Sequence, residues 1–149
     1  MDFKIDKMSL EDLISIKDIL TTEFDDFWNY EIFKSELEST NSYFFVAKNI
    51  SGEIVGFAGI KIILDEADIM NIVVKKDFRN IGIGALLLDY MIYYSKNIDL
   101  KTITLEVNEI NIPAIKLYEK FDFEKLGIRK KYYNGENDAI IMSKKIKLI

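Results

Sequence analysis

Apolar residues along the chain follow two spacings, alternation and recurrence every three or four positions, and these predict a mixture of strands and helices. Alternation over residues 3–5 predicts a short first strand. Ser9 is placed to cap the helix that follows. The apolar face of that helix is made by Leu13, Ile16 and Leu20. The periodicity then stops, and residues 30–39 predict a second short helix.

The middle of the chain reads as three consecutive strands followed by a helix. Residues 43–48 and 54–63 are rich in β-branched and aromatic residues, and a polar turn with a Ser-Gly pair joins them, which predicts a hairpin. Residues 67–74 follow as a third strand and complete an antiparallel meander. The next apolar residues recur at helical spacing, so a helix is expected to begin around Gly82 and Gly84.

After that helix, residues 102–107 predict a strand with one apolar and one polar face. Glu106 belongs to the polar face. Asn111 is then placed to cap a helix whose first turn tolerates Pro113. One side of this helix carries Ala114, Leu117, Tyr118 and Phe121.

Two closing strands complete the predicted order of elements. They cover residues 123–133 and 139–145, and Asn134-Gly135 between them is a hairpin signal. The whole order is strand, two helices, three strands, helix, strand, helix and two strands. Because no internal repeat, low-complexity tract or Pro/Gly/Ser linker interrupts it, we expect one domain covering residues 1–149.

Composition limits the chemistry. The chain has no cysteine and no histidine, which excludes disulfides and thiolate nucleophiles and removes the usual general base and commonest metal ligand. Acid-base work therefore falls to Asp, Glu, Lys, Tyr or a chain terminus, and we expect no metal site. A hydrophobic content of 49% over 149 residues is ordinary for a globular protein with a proper core.

Charge and hydropathy narrow the expected partners. A net charge of −5 disfavours nonspecific binding of nucleic acid and allows attraction to a basic peptide. No apolar run approaches the roughly 18 residues that span a membrane, and the first residues lack a signal-peptide core, so we expect no membrane association and a cytoplasmic location. Residues 23–38 hold six acids and five aromatic residues. They form either a solvated face over a small aromatic core or part of a groove for a positively charged substrate.

The pair Gly82 and Gly84 stands where a strand turns into a helix. The first amides of a helix lack internal partners and carry partial positive charge, which makes such a junction an anion site. The third glycine of the dinucleotide fingerprint is missing, since Leu87 occupies its place, and no Gly-Lys-Ser/Thr follows. On the glycines alone, an ordinary tight turn is the alternative interpretation.

A wider motif favours the phosphate site. Arg79-x-x-Gly82-x-Gly84 resembles the R/Q-x-x-G-x-G/A signature of the GNAT superfamily of N-acetyltransferases. In that superfamily, the backbone amides of this loop hold the pyrophosphate of acetyl-coenzyme A. The resemblance assigns this role to Arg79, Asn80, Ile81, Gly82, Ile83, Gly84 and Ala85.

Further blocks resemble the RimI-type enzymes of this superfamily, which acetylate the N-terminal alanine of small-subunit ribosomal protein eighteen. The blocks cover residues 64–74, 105–123, 129–133 and 138–142, and the order of elements matches over nearly the whole chain. The resemblance implies a single-domain α/β (α+β) fold with a mixed, mostly antiparallel sheet flanked by helices. It also implies acetyl-CoA as cosubstrate and a ribosomal protein N-terminus or another basic peptide as acceptor.

The family's functional residues transfer to matching positions. The end of the third meander strand would lie against the acetyl-pantetheine arm, through Ile72, Val73 and Val74. Asn111 would contact the coenzyme, Glu106 corresponds to the general base and Tyr118 to the general acid. Proton transfer from a tyrosine of ordinary pKa to a thiolate is uphill by roughly 2 kcal/mol. Unless the site lowers the tyrosine pKa, this favours a transfer made while the thiolate is still forming, and we expect Tyr118 to assist as the tetrahedral intermediate collapses.

Three positions depart from the family pattern. Asn108 replaces a usual arginine and Ile110 a common serine, which bears on substrate contacts. Asp122 replaces a glycine, and aspartate tolerates the left-handed backbone conformation better than most residues. Lys130 to Tyr133 either border the substrate or form a strand with a solvated face.

Three functions stay open on the sequence. N-terminal protein acetylation leads, acetylation of a lysine or small amine is its nearest competitor, and a noncatalytic acyl-CoA-binding module is the alternative from a different class. The sequence predicts neither the oligomeric state nor a required partner protein.

Overall fold

The computed structural model describes residues 2–25, 28–133 and 135–146. Asp26 and Phe27 of the acidic and aromatic stretch, and Asn134 of the closing hairpin signal, lie outside the described residues. The strands are β1 (Lys4–Lys7), β2 (Ser42–Lys48), β3 (Ile54–Ile63), β4 (Glu66–Val74), β5 (Thr102–Asn108), β6 (Glu124–Tyr133) and β7 (Asn137–Lys145). The α-helices are α1 (Leu10–Ser15), α2 (Tyr30–Leu37), α3 (Ile83–Asn97) and α4 (Ile112–Lys120).

The strands form one sheet in the order β1-β2-β3-β4-β5-β7-β6. Antiparallel pairing joins β1 to β2, β2 to β3, β5 to β7 and β6 to β7. The pairing of β4 with β5 is parallel and sets Glu66, Ala67 and Asp68 opposite Thr102, Ile103 and Thr104. The predicted mixed, mostly antiparallel sheet is confirmed.

The chain forms two compact units, of which unit 1 comprises the chain up to Ile62 together with Met70–Met91. Ser9 caps α1 as predicted, through a capping box with Asp12. The helix is shorter than its apolar spacing suggests, because α1 ends at Ser15 and a 3₁₀ turn and a π-helical turn, Leu20–Phe24, follow it. The predicted apolar face is nevertheless buried, with Leu13, Ile16 and Leu20 at most 4% exposed.

The start of α3 is fixed by close packing against β3. A Cβ on Gly56 would lie 3.0 Å from the Val73 carbonyl oxygen and 3.2 Å from side-chain atoms of both Ile83 and Leu87. These distances are shorter than ordinary van der Waals contact, so only glycine lets the helix approach the strand this closely. The position of α3 therefore depends on a residue that stands 27 positions before it.

Unit 2 comprises Ile63–Ile69 and the chain from Ile92 onward. The apolar face predicted for β5 is buried, while Glu106 lies on the opposite, partly exposed face. Asn111 caps α4 and Pro113 lies in its first turn, as predicted. Asp122, which follows α4, has φ +68°, so the residue that replaces the family's glycine adopts the left-handed conformation. Among the described residues, no helix is both long and apolar enough to cross a membrane.

Candidate active site

The loop between β4 and α3 contains the glycine motif. A 3₁₀ turn, Lys76–Phe78, follows β4, and α3 begins at Ile83. The first hydrogen bond of the helix runs from the Leu86 N–H to the Gly82 carbonyl over 3.1 Å. The amides of Ile83, Gly84 and Ala85 precede that bond and are those that a helix leaves without an internal partner. The loop therefore presents a set of donors suited to an anion.

Gly82 is required by its backbone conformation. Its φ is +97°, which L side chains rarely adopt, and no atom lies within 4 Å of the position of a Cβ. The glycine thus provides the turn and leaves open space beside the amides. Asn80, with φ +66°, is a second left-handed residue in the same loop. Open space and free amides fit the pyrophosphate of a coenzyme A thioester.

The Arg79 side chain is engaged by the protein. Its Nε donates to the Val74 carbonyl over 3.0 Å, and its guanidinium NH2 group donates to the Phe24 carbonyl over 2.7 Å. The arginine of the motif therefore ties the π-helical turn to the end of β4. The Arg79 backbone N–H donates to the Lys76 carbonyl over 3.5 Å, so this amide also has a partner within the protein.

The last residues of β4 are those expected to line the thioester arm. Val73 is only 5% exposed and packs in the core of unit 1, while Ile72 and Val74 are partly exposed. The Lys75 N–H donates to the Val55 carbonyl over 2.8 Å, which secures the strand end against β3. The ladder with β5 ends at Asp68, and β4 continues for six more residues.

Most described aromatic side chains between Glu23 and Glu38 form a core. Phe24, Phe33 and Trp28 pack together with rings of β2 and β3, with centroid distances between 5.0 and 5.8 Å. The interpretation as a small aromatic core is the better one for these rings.

A partly open cavity with room for about one water molecule remains beside them, lined by Asp25, Trp28 and Asn71 among others. The Asn71 Oδ1 atom is buried there, and no described residue donates a hydrogen bond to it.

Within unit 2, Glu106 is paired with a residue that the sequence did not single out. The guanidinium of Arg129 lies 2.7 Å from Glu106 Oε1. The Glu106 side chain is 25% exposed and that of Arg129 is 55% exposed. The Arg129 guanidinium also lies over the Tyr132 ring, 4.8 Å from its centroid. The only sequence signal for this pair was that both residues stand in blocks resembling the RimI-type enzymes.

Tyr118 and Glu106 are linked through Tyr133. Burial, with a smaller contribution from Tyr133, raises the pKa of Tyr118 to about 12. Burial also raises the pKa of Tyr133, with further contributions from Glu106 and Tyr132. Both residues predicted to be catalytic therefore interact electrostatically with Tyr133. Because of that prediction, we call Glu106, Tyr118, Tyr133 and Arg129 the catalytic cluster.

The direction of the Tyr118 shift bears on when this tyrosine can assist. A pKa of about 12 makes full proton transfer to a thiolate with a reference pKa of about 8.5 uphill by about 5 kcal/mol. The raised pKa is compatible with the expected role, in which Tyr118 assists while the charge on sulfur is still developing.

Asn111, predicted to contact the coenzyme, performs a local role. Its side-chain oxygen accepts a hydrogen bond of 3.3 Å from the Ala114 N–H and caps α4. Asn108, which departs from the family pattern, accepts from the Ile110 N–H over 3.2 Å. Ile110 itself is 65% exposed.

In the part of the chain that the structure describes, no group of three or more acids is arranged to hold a metal ion.

The seven-stranded sheet, with the glycine motif just before α3, is the arrangement expected of the GNAT superfamily. Residues 13–123 match the acetyltransferase (GNAT) family, and the chain belongs to that family. It is an acetyl-CoA-dependent N-acetyltransferase.

Two relatives and one solved structure are similar to this chain over most of their length. A Bacillus subtilis protein provisionally named a ribosomal protein bS18-alanine N-acetyltransferase is 37% identical, over 91% of this chain and 90% of that protein. The ribosomal protein bS18-alanine N-acetyltransferase of Escherichia coli is 35% identical, over 78% of this chain and 79% of that protein. The crystal structure of the ribosomal-protein-S18-alanine N-acetyltransferase from Escherichia coli superposes with a TM-score of 0.88 at 30% identity, covering 99% of this chain and 96% of that one.

Proposed function

We propose that this protein transfers the acetyl group of acetyl-CoA to the N-terminal α-amino group of a protein, and that its acceptor is the N-terminal alanine of ribosomal protein bS18. The observation that carries the proposal is the similarity of this chain to the bS18-alanine N-acetyltransferases over most of its length. Glu106 and Tyr118 stand at the positions to which the family resemblance assigns the base and the acid. The acceptor named for those relatives is brought to this chain as part of the proposal.

One set of residues is assigned to binding of the cosubstrate. The loop of residues 79–85 holds the pyrophosphate of the cosubstrate, chiefly through the amides of Ile83, Gly84 and Ala85. Ile72, Val73 and Val74 line its acetyl-pantetheine arm. A backbone N–H near Val74 stabilises the carbonyl oxygen as negative charge develops on it. Asn111 is assigned to the coenzyme side through its place at the start of α4.

The chemistry needs a neutral amine, since an ammonium has no lone pair. An α-amino group with a reference pKa near 8 supplies that form at neutral pH far more readily than lysine, near 10.4. The C–N bond forms as the C–S bond breaks, the Glu106 carboxylate takes one amine proton, and the electron pair leaves with sulfur. Tyr118 donates a hydrogen bond to that sulfur as its charge develops.

The test uses the full chain, acetyl-CoA and a peptide with the N-terminal sequence of ribosomal protein bS18, with release of free thiol as the readout. We expect thiol release and one added acetyl group on the α-amine, located by fragmentation in the mass spectrometer. The same peptide with a blocked α-amine and an internal lysine is the control. Acetylation of the blocked peptide would favour a lysine acetyltransferase, and no thiol release with either peptide would contradict the proposal.

A further inference from the structure

Arg129 is a charged residue that the reaction described above does not use. It lies on β6, a strand whose residues are mostly exposed and whose cations would ordinarily extend into solvent. Its guanidinium instead reaches the Glu106 carboxylate on β5 and stacks on the Tyr132 ring. In the sheet, β7 lies between β5 and β6, so the contact spans two strand spacings. A contact of this reach needs both side chains to be held in defined positions.

The ion pair engages one side of the carboxylate. Arg129 donates to Oε1, and among residues 2–25, 28–133 and 135–146 no other hydrogen bond to this carboxylate is found. Oε2 is therefore the oxygen that remains for an incoming amine or a bridging water. The Arg129 guanidinium is already restrained by its stacking on an aromatic ring, so little more side-chain freedom is lost when it binds Oε1. The ion pair then fixes the orientation of the carboxylate and the direction in which Oε2 points.

The positive charge has a second effect on the same reaction. A cation close to an amine disfavours the ammonium form and so favours the neutral form that attacks the thioester. We propose that Arg129 is a positioning residue for acetyl transfer, which orients Glu106 through Oε1 and disfavours protonation of the acceptor amine at Oε2. The inference rests on the proposed function, because it takes Glu106 as the base for an α-amine.

The two tyrosines linked to the Glu106 carboxylate keep their protons over the pH range of the test. The titratable neighbours are Tyr133 on β6 and, through it, Tyr118 on α4, and burial holds the pKa of each above its ordinary value. The β7 residue opposite Glu106 is Ile141, which carries no charge. On β4, Asp68 lies opposite Thr104, two residues before Glu106. A change of rate between about pH 6 and 9 then reports the amine and its base.

The experiment measures kcat for the bS18 N-terminal peptide from pH 6 to 9 at constant ionic strength, for the wild type, Arg129→Met and Arg129→Lys. With Arg129→Met, we expect the rising part of the plot of kcat against pH to move to higher pH by roughly one pH unit. The rate then falls about tenfold at pH 7 and by a smaller factor at pH 9, where the remaining loss reports the orientation of Glu106. Arg129→Lys keeps the charge and should leave the rising part near its wild-type position.

Lys125→Met removes one cation from the same strand, away from the ion pair, and is the matched control for net charge. Its profile should superimpose on that of the wild type. For Arg129→Met, a profile identical to wild type would overturn the proposal, and a loss that is equal at every pH, with no shift of the rising part, would overturn the claim that Arg129 disfavours protonation of the amine. If the methionine variant does not fold, Arg129→Gln carries the same expectation. A wild type without turnover at any pH would instead contradict the proposed function.

Discussion

The coenzyme loop and the catalytic cluster are built in opposite ways. The loop is seven consecutive residues, 79–85, whose proposed donors are backbone amides and which has positive φ at Asn80 and Gly82. The cluster takes Glu106 from β5, Tyr118 from α4 and Arg129 from β6, and all its groups are side chains. A site made of backbone tolerates most substitutions but depends on conformation, whereas a site made of side chains depends on each group. The two regions should therefore respond differently to mutation.

The largest effect is expected in the cluster. Glu106→Gln keeps the shape of the side chain but removes the base, and we expect kcat to fall by roughly 100-fold or more, most steeply near neutral pH. The affinity for acetyl-CoA, measured by calorimetry, should stay at the wild-type value. Glu124→Gln, which changes an exposed acid on β6, is the control. Turnover within twofold of wild type, or an unchanged pH profile, would remove Glu106 as the base.

Tyr118→Phe should have the next largest effect. Because its pKa of about 12 limits the tyrosine to donating a hydrogen bond, we expect kcat to fall by roughly 10- to 100-fold, less than for the base. Steady-state kinetics with thiol detection gives kcat, and calorimetry should show unchanged coenzyme binding. Tyr93→Phe, at a tyrosine that is 61% exposed, provides the comparison. Unimpaired turnover in Tyr118→Phe would exclude a role in thiolate departure.

In the loop, Gly82→Ala should affect binding before turnover. The methyl group meets no atom, so the cost is the left-handed backbone alone, about 1–2 kcal/mol. We expect the dissociation constant for acetyl-CoA to rise roughly 5- to 30-fold. Gly52→Ala is a matched control, since Gly52 also has positive φ and open space but lies in the turn between β2 and β3. Equal losses of coenzyme affinity in both variants would refute the role of the loop.

The contrast also explains what could be predicted from the sequence. The glycine motif, the Ser9 cap and the β3 boundaries depend on local preferences, and the structure confirms the cap and those boundaries. The Glu106–Arg129 pair depends on strand order across the sheet, which no local pattern contains. The direction of the Tyr118 shift depends on how much protein surrounds its hydroxyl. Spacing along a helix does not determine that amount.

The smallest effect concerns alkaline stability. The pKa of Tyr118 in the folded protein lies above the ordinary value of 10. Its contribution to the free energy of unfolding is therefore fully present below pH 10 and is lost as the pH rises towards about 12. At pH 10.5 the expected loss is about 1 kcal/mol or less. Chemical denaturation between pH 8 and 11 measures it, and Tyr118→Phe should reduce the dependence. A steeper dependence in the phenylalanine variant would contradict burial of the phenol.

The division between binding and chemistry is tested most directly by titrating acetyl-CoA into the Glu106→Gln/Tyr118→Phe double variant in a calorimeter and then adding the acceptor peptide. The account predicts the wild-type dissociation constant for acetyl-CoA and thiol release at least 100-fold slower than wild type. A dissociation constant that rises in parallel with the loss of turnover would contradict it, because coenzyme binding would then depend on the catalytic cluster.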